Sequence, residues 1–216
     1  MPGMGIVIPH RLARLILLLP LLLAPIWLEA APAPLPGGAP AAEPSLQGQL
    51  LIAAPAIGDP RFSHTVIFMV RHDRSGALGL IINRPFEERT IADLLAAIGR
   101  KDDTVEGKLR VYQGGPVELG AGFVLHGADY HGTDTMEVDG HFAMSSDPAI
   151  LNAIGHHKGP EKFLFALGYA GWGPGQLEAE FARKDWFTAV ADPKFVFDED
   201  RELLWERAMA RRTRDL

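Results

Sequence analysis

Residues 65–82, TVIFMVRHDRSGALGLII, contain two apolar runs separated by a turn. The runs at 65–70 and 78–82 are rich in branched and aromatic side chains, which is typical of buried strands. Between them, Asp73-Arg74-Ser75-Gly76 has the chemistry of a tight turn, because Asp bonds nearby backbone and Gly tolerates turn conformations. This stretch therefore predicts an antiparallel hairpin.

Similar short apolar runs recur on both sides of the hairpin, and helical patterns lie between some of the later ones. The predicted strands lie at 49–54, 109–112, 122–126, 163–167 and 195–197, with a weak one at 136–138. Helices are predicted from Thr90 to Gly99, after Ser146-Asp147-Pro148 with the Ser146 hydroxyl as its cap, over 175–184 and over 199–212. Because regular strand–helix alternation is absent, the pattern favours a mixed, largely antiparallel sheet over a doubly wound nucleotide-binding fold.

Composition excludes several function classes. The chain of 216 residues has 21 Lys and Arg against 27 Asp and Glu, a net charge of −6, and no cysteine. An acidic body argues against a domain that wraps nucleic acid. The lack of cysteine rules out disulfides, a thiol nucleophile and thiolate metal sites. No His or carboxylate spacing indicates a metal site, and we expect no cofactor.

The N-terminus differs from the rest of the chain. Arg11 and Arg14 precede an apolar run at 15–28, so residues 1–29 have the pattern of an export signal or an anchor. Residues 30–45 are a Pro/Ala-rich tether, and the folded domain is expected over 46–216. We therefore expect an exported or inner-membrane-anchored protein, with possible membrane attachment through the apolar run. The alternative is a cytoplasmic protein that starts near Leu46.

Four blocks of the body form a specific pattern. They are GQLLIA at 48–53 with DPRF at 59–62, HD at 72–73 with INRP at 82–85, GGPV at 114–117 with GFVLH at 122–126, and LGYAGWGPGQLE at 167–178. In this order, and over about 48–208, they resemble the YqgE/AlgH family of bacterial proteins. The resemblance implies a compact single α/β (α+β) domain with a coiled sheet flanked by helices. It also implies a cytoplasmic location, which the leader of this chain does not fit.

The family carries no established enzymatic activity, and its name is associated with control of exopolysaccharide production. The resemblance therefore implies a non-enzymatic regulatory or adaptor protein that acts through protein partners. The alternative is a small-ligand-binding protein or an enzyme that uses a cleft near Tyr169, Trp172 and Gln176.

The stretch 168–180 holds the main candidate site. Tyr169 and Trp172 offer rigid aromatic surface, and Gln176 and Glu180 follow on the first turns of a helix. Gly171, Gly173 and Gly175 are expected to supply backbone conformations, such as positive φ, that are closed to other residues. A few polar groups on an apolar surface are typical of a recognition site. The alternative is a demanding turn in which Trp172 fills the core.

Histidine and arginine residues provide the remaining candidates. His72 and His126 both fall at strand ends, where they could meet Glu118 and act as acid–base groups. Arg61 and Arg84 fall on loops that could form an anion site. The alternative for the two arginines is surface ion pairing, either between Arg61 and Asp59 or with Glu87 or Glu88.

The C-terminal segment carries four arginines, Arg207, Arg211, Arg212 and Arg214. In an acidic body, such a cluster most often interacts with the carbonyl end of a helix. Contact with phosphate or lipid headgroups is the alternative. No other basic stripe is present, so no specific nucleic acid partner is expected.

Overall fold

The hairpin predicted from residues 65–82 is present in the computed structural model, which describes residues 45–197 and 200–213. Strand β2 (Val66–Asp73) pairs antiparallel with β3 (Gly76–Ile81), and the Asp73 carboxylate accepts hydrogen bonds from the Ser75 N–H and hydroxyl. The predicted leader and tether lie outside the described residues, apart from Ser45. Among those residues, no helix is long and apolar enough to cross a membrane.

The hairpin belongs to a ten-stranded sheet. Within the described residues the strand order is β10-β1-β2-β3-β9-β6-β8-β7, and the β4–β5 pair joins through β5 to β9. All pairings are antiparallel except that of β5 with β9. The prediction of a mixed, largely antiparallel sheet is therefore confirmed. The other strands are β1 (Gln49–Ala53), β4 (Pro85–Thr90), β5 (Lys108–Gln113), β6 (Val117–Gly127), β7 (Thr135–Glu137), β8 (Phe142–Ser145), β9 (Phe163–Trp172) and β10 (Trp186–Val190).

Short helices flank the sheet: α1 (Ile91–Ala97), α2 (Ala149–Gly155), α3 (Gln176–Ala182), α4 (Pro193–Val196) and α5 (Leu204–Ala210). The start of α1 is confirmed, because the Thr90 hydroxyl accepts a hydrogen bond from the Asp93 N–H at 3.0 Å. The hydroxyl cap expected from Ser146 is wrong. Asp147 Oδ1 accepts from the Ala149 N–H at 2.9 Å, and the Ser146 hydroxyl donates to Asp134 instead.

Several predicted elements need correction. The strand expected at 195–197 is wrong, because Pro193 begins α4 and the Asp192 carboxylate accepts from the Phe195 N–H. The helix expected over 199–212 is shorter, at Leu204–Ala210. Strands β4, β8 and β10 were not predicted. β8 has four residues, all of them buried, so it shows no polar–apolar alternation.

The core lies on both faces of the sheet. One large cluster contains Leu50, Phe68 and Leu125, and helices α4 and α5 cover it. The neighbouring residues of the same strands point to the opposite face, where two separate clusters form. The first packs beside α3, and the second lies beneath α1 and α2. The sheet thus supports two distinct environments on one face.

Gly168 changes the direction of β9 side chains. Its φ of +71° interrupts the alternation, so Ala166 joins the large cluster while Ala170, four residues later, joins the cluster beside α3. A Cβ at this position would lie 2.7 Å from the Gly115 carbonyl oxygen. Of the three glycines expected to adopt special conformations, Gly175 has positive φ, whereas Gly171 and Gly173 do not, and Gly168 has positive φ as well. Gly168 thus lies inside β9, and Gly175 lies in the turn directly before α3.

Candidate functional site

Trp172 ends β9 on the face beside α3. Its side chain is 6 % exposed and packs against Trp186 and Phe62, with ring centroids 6.0 and 6.4 Å away. The Phe62 and Trp186 rings are 5.5 Å apart, so the three rings contact one another. Trp172 therefore fills the core at the end of the sheet.

Glu180 joins this aromatic cluster to α3. Its Oε2 accepts hydrogen bonds from the indole N–H groups of Trp172 and Trp186, both at 2.8 Å. Its Oε1 accepts from the Gln176 amide at 3.0 Å. The side-chain oxygen of Gln176, Oε1, accepts in turn from the Gly173 N–H at 3.1 Å. The structure thus brings Trp172, Gln176 and Glu180 together, with their polar groups bonded to one another.

Tyr169 lies away from that group. Its ring packs edge-on against Phe123 at 5.9 Å, beside the large cluster on the opposite face of the sheet. Its hydroxyl donates to Glu118 Oε1 at 3.5 Å. The alternation of side chains along β9 separates Tyr169 from Trp172, three residues later. The four residues predicted around 168–180 therefore do not form one surface.

His72 connects the start of the domain to α3. The Leu46 N–H donates to its Nδ1 at 3.0 Å, so Nε2 carries the hydrogen and donates to Glu178 Oε1 at 3.0 Å. The Ser45 hydroxyl donates to the His72 carbonyl at 2.9 Å. The pKa of the Glu178 carboxyl is lowered, first by a backbone N–H hydrogen bond and then by the His72 ring. Both ring nitrogens of His72 are engaged.

His126 has different neighbours from His72, so the expected convergence of the two histidines is not found. It is completely buried on β6, and its Nδ1 donates to the Gly127 carbonyl at 2.7 Å. Its Nε2 lies 3.0 Å from the Ser145 hydroxyl. Burial lowers the pKa of His126, since the charged ring is poorly solvated there. Glu118, the carboxylate expected nearby, contacts Tyr169 instead.

Arg61 and Arg84 do lie on neighbouring loops. Arg84 donates to the Arg61 carbonyl at 2.6 Å and to the Ser63 carbonyl at 2.9 Å. Arg61 pairs with Asp59 at 2.6 Å, as one alternative expected, and this hydrogen bond lowers the pKa of Asp59. Glu87 pairs with Arg89 at 3.0 Å. The Arg84 guanidinium therefore binds backbone carbonyls of the neighbouring loop, and the Arg61 guanidinium binds the Asp59 carboxylate.

The C-terminal arginines pack against aromatic rings. Arg211 lies 4.3 Å above the Phe195 ring and pairs with Asp192 at 2.8 Å. Arg212 lies 5.6 Å from the Phe187 ring and donates to the Met209 carbonyl at 2.9 Å, as expected for a cation at a helix C-terminus. Arg214 lies outside the described residues.

A cavity of about 280 Å³ lies beneath α1 and α2, on the same face of the sheet as Trp172 but in the other cluster. We call it the α1–α2 cavity. Its apolar wall consists of Leu94, Val124, Ile150, Leu151, Phe165 and Leu167, and polar groups come from Glu87, Arg89, Ser145, Ser146 and Asp147. None of the residues predicted as site candidates lines this cavity.

His126 nevertheless reaches the α1–α2 cavity through Ser145. β6 pairs with β8 so that Val124 lies opposite Ser145, and His126 lies two residues farther along β6 on the same face. Ser145 is 3 % exposed and lines the cavity. The sequence offered no indication of this contact, because β8 was not predicted. In the described part of the chain, no group of three or more His, Asp or Glu side chains could hold a metal ion.

Comparison with known proteins identifies relatives over most of the chain. The AlgH-like family model (DUF179) matches residues 50–216. A UPF0301 protein from Jannaschia sp. is 46 % identical over 166 residues, which cover 76 % of this chain and 86 % of the relative. A UPF0301 protein from Paraburkholderia phymatum is 46 % identical over 171 residues, or 77 % of this chain and 87 % of the relative.

Two solved structures share the fold. The solution structure of the AlgH protein from Pseudomonas aeruginosa superposes with a TM-score of 0.68 at 38 % identity, covering 82 % of this chain and 92 % of that one. A protein from Corynebacterium diphtheriae superposes with a TM-score of 0.62 at 22 % identity, covering 79 % and 88 %. The first match confirms the prediction of a single α+β domain with a coiled sheet flanked by helices.

Proposed function

The chain belongs to the AlgH-like family, and from its geometry we propose that it is a small-molecule-binding protein whose site is the α1–α2 cavity. The observation that carries this proposal is the cavity itself, which is lined by apolar side chains and a few polar groups. This is the usual composition of a small-molecule site. Its volume of about 280 Å³ is near the lower end of the range for such sites, so the ligand is small.

The charges around the α1–α2 cavity indicate an uncharged ligand. Arg89 pairs with Glu87 at 3.0 Å, and Asp147 pairs with Arg100 at 3.6 Å. Each charge that lines the cavity therefore has an opposite charge beside it, and the two signs balance. A ligand with an apolar body and a neutral polar group can pack against the apolar wall and form hydrogen bonds with the polar lining groups.

Fragment binding followed by NMR tests the proposal. Small uncharged fragments with one polar group should shift the amide signals of Leu94, Val124 and Ile150. Ala97 lines the cavity and is exposed, so Ala97→Trp should obstruct the cavity without disturbing the core. The matched control is Ala96→Trp, at an exposed position of α1 that does not line the cavity. Equal binding by both variants, or shifts confined to other regions, would contradict the proposal.

We also propose a second function, a regulatory or adaptor role through protein contacts. The edge strands of the described sheet, β4, β7 and β10, each carry an exposed apolar side chain: Phe86, Met136 and Val190. Edge strands with exposed apolar groups are suited to pairing with another chain. If a protein partner is captured by the full chain, Phe86→Lys or Val190→Lys should weaken its binding. Glu88→Lys, on the same strand as Phe86, is the control, and equal weakening by all three would contradict a role for the apolar groups.

A further inference from the structure

Ser145 and His126 have the relative geometry of a nucleophile and its base. The Gly127 carbonyl has no hydrogen to donate, so His126 Nδ1 must carry the ring hydrogen. In this neutral tautomer, Nε2 is an acceptor, and the Ser145 hydroxyl 3.0 Å away donates to it. The hydroxyl hydrogen of Ser145 therefore points along the path by which a base would remove it.

Thr135 completes the orientation of Ser145. The Gly132 N–H donates to Thr135 Oγ at 2.8 Å, and the two hydroxyl oxygens of Thr135 and Ser145 are 2.8 Å apart. Because the Ser145 hydrogen is directed to His126, the Thr135 hydroxyl donates to the Ser145 oxygen. One lone pair of that oxygen stays available for attack on a bound molecule.

The position of Ser145 in the fold places this pair beside the α1–α2 cavity. Ser145 is the last residue of β8, and α2 begins four residues later at Ala149. Ser145 lines the cavity together with Gly120 and Gly122, which present no side chain there. His126 lies behind Ser145 and is fully buried, so the cavity reaches the pair on the serine side.

The group that orients His126 limits the reactivity of the Ser145–His126 pair. In a Ser-His-Asp triad, a carboxylate orients the His and stabilises its charged form. Here the orienting group is the neutral Gly127 carbonyl, which fixes the tautomer and contributes no negative charge. The desolvated ring is neutral and able to accept a proton, but its charged form is poorly stabilised. Such a pair suits acyl groups that carry a good leaving group.

We infer that Ser145 is a catalytic nucleophile with His126 as its general base, and that the α1–α2 cavity takes small uncharged esters. This inference rests on the proposed function, since it requires the cavity to bind a small molecule. Ser145 Oγ forms a bond to the acyl carbon while its proton moves to His126 Nε2. The ester C–O bond breaks, and the leaving alcohol takes that proton. Water then attacks the acyl-serine, returns a proton through Nε2, and releases a carboxylic acid and free Ser145.

Covalent labelling tests the inference on the full chain. Diisopropyl fluorophosphate, a small uncharged serine reagent, should add once to the protein with loss of fluoride, and peptide mass spectrometry should place the adduct on Ser145. Ser145→Ala should abolish the adduct. Ser63→Ala removes an exposed serine hydroxyl that lies 2.9 Å from the ring of His64 and does not line the cavity, so labelling should persist in this control. Labelling at other residues, or none in the wild-type protein, would overturn the assignment.

Hydrolysis of p-nitrophenyl acetate gives a second measurement. His126→Gln keeps an acceptor for the Ser145 hydroxyl but is not a base, and it should reduce the rate about 100-fold or more, the usual contribution of a general base. An unchanged rate would overturn the role of His126. Ala97→Trp should prevent labelling, whereas Ala96→Trp should not. Fragment binding in the cavity without labelling of Ser145 would refute the nucleophile and leave the binding function standing.

Discussion

Replacement of Trp172 by Ala is the most direct test of whether this side chain stabilises the core at the end of β9. The indole is 6 % exposed, contacts two other rings and donates a hydrogen bond to Glu180. Removal of a buried Trp side chain costs about 3–5 kcal/mol of unfolding free energy. For a domain of this size, each kcal/mol lowers Tm by about 2–4 °C, so the variant should melt about 6–20 °C below the wild type.

Trp172→Phe separates the ring from its hydrogen bond. Phe keeps most of the contact with Phe62 and Trp186 but cannot donate to Glu180. Loss of a hydrogen bond to a charged group costs about 1.5–3 kcal/mol, so this variant should fall between the wild type and Trp172→Ala. In the Glu180→Gln background, the effect of Trp172→Phe should shrink, because the amide oxygen is a neutral acceptor and the hydrogen bond that Trp172→Phe removes is then weaker.

Urea unfolding followed by far-UV circular dichroism measures these differences without depending on tryptophan fluorescence. Tyr169→Ala is a useful comparison, since Tyr169 is only partly buried and lies on the other face of the sheet. It should cost less than Trp172→Ala. A loss below about 1.5 kcal/mol for Trp172→Ala, with unchanged secondary structure, would refute the core role and favour a recognition role for its ring.

Three further predictions concern other parts of the chain. Gly168→Ala should destabilise the domain by more than about 1 kcal/mol in urea, because φ is +71° and a Cβ would meet the Gly115 carbonyl. Gly120→Ala, where a Cβ meets nothing within 4 Å, should not. Burial lowers the pKa of His126 below 6.5 in the folded protein, so stability should fall as pH drops below about 6.5. Less of that loss should occur in His126→Gln, and an equal loss would contradict this origin. Residues 1–45 should export a fused reporter that is active only outside the cytoplasm; a reporter active solely inside would support a later start.

Local chemistry explains which elements could be predicted. The β2–β3 turn and the start of α1 depend on side chains that bond backbone within three residues, so short sequence patterns were sufficient. The same information was present at Asp192-Pro193, where the apolar residues that follow were interpreted as a strand. β8 and β10 have only four and five residues, and the period of such a short run does not distinguish a strand from other local structure.

The candidate residues show a similar division. Trp172, Gln176 and Glu180 meet because helix α3 places Gln176 and Glu180 one turn apart, a spacing that the sequence itself contains. Tyr169 was grouped with them because it is close in sequence. The alternation of side chains along β9 places it on the other face.

By itself, the sequence determined the family resemblance, the antiparallel character of the sheet and the positions of its strongest turns, because each depends on residues that are close together or on a recurring pattern. Only the tertiary structure decided that Ser145 would meet His126 and that a cavity would lie beside them. Those residues are nineteen positions apart, and the register of β6 against β8 brings them into contact. Such a register depends on how whole faces of the sheet pack against α1 and α2, which no local segment specifies.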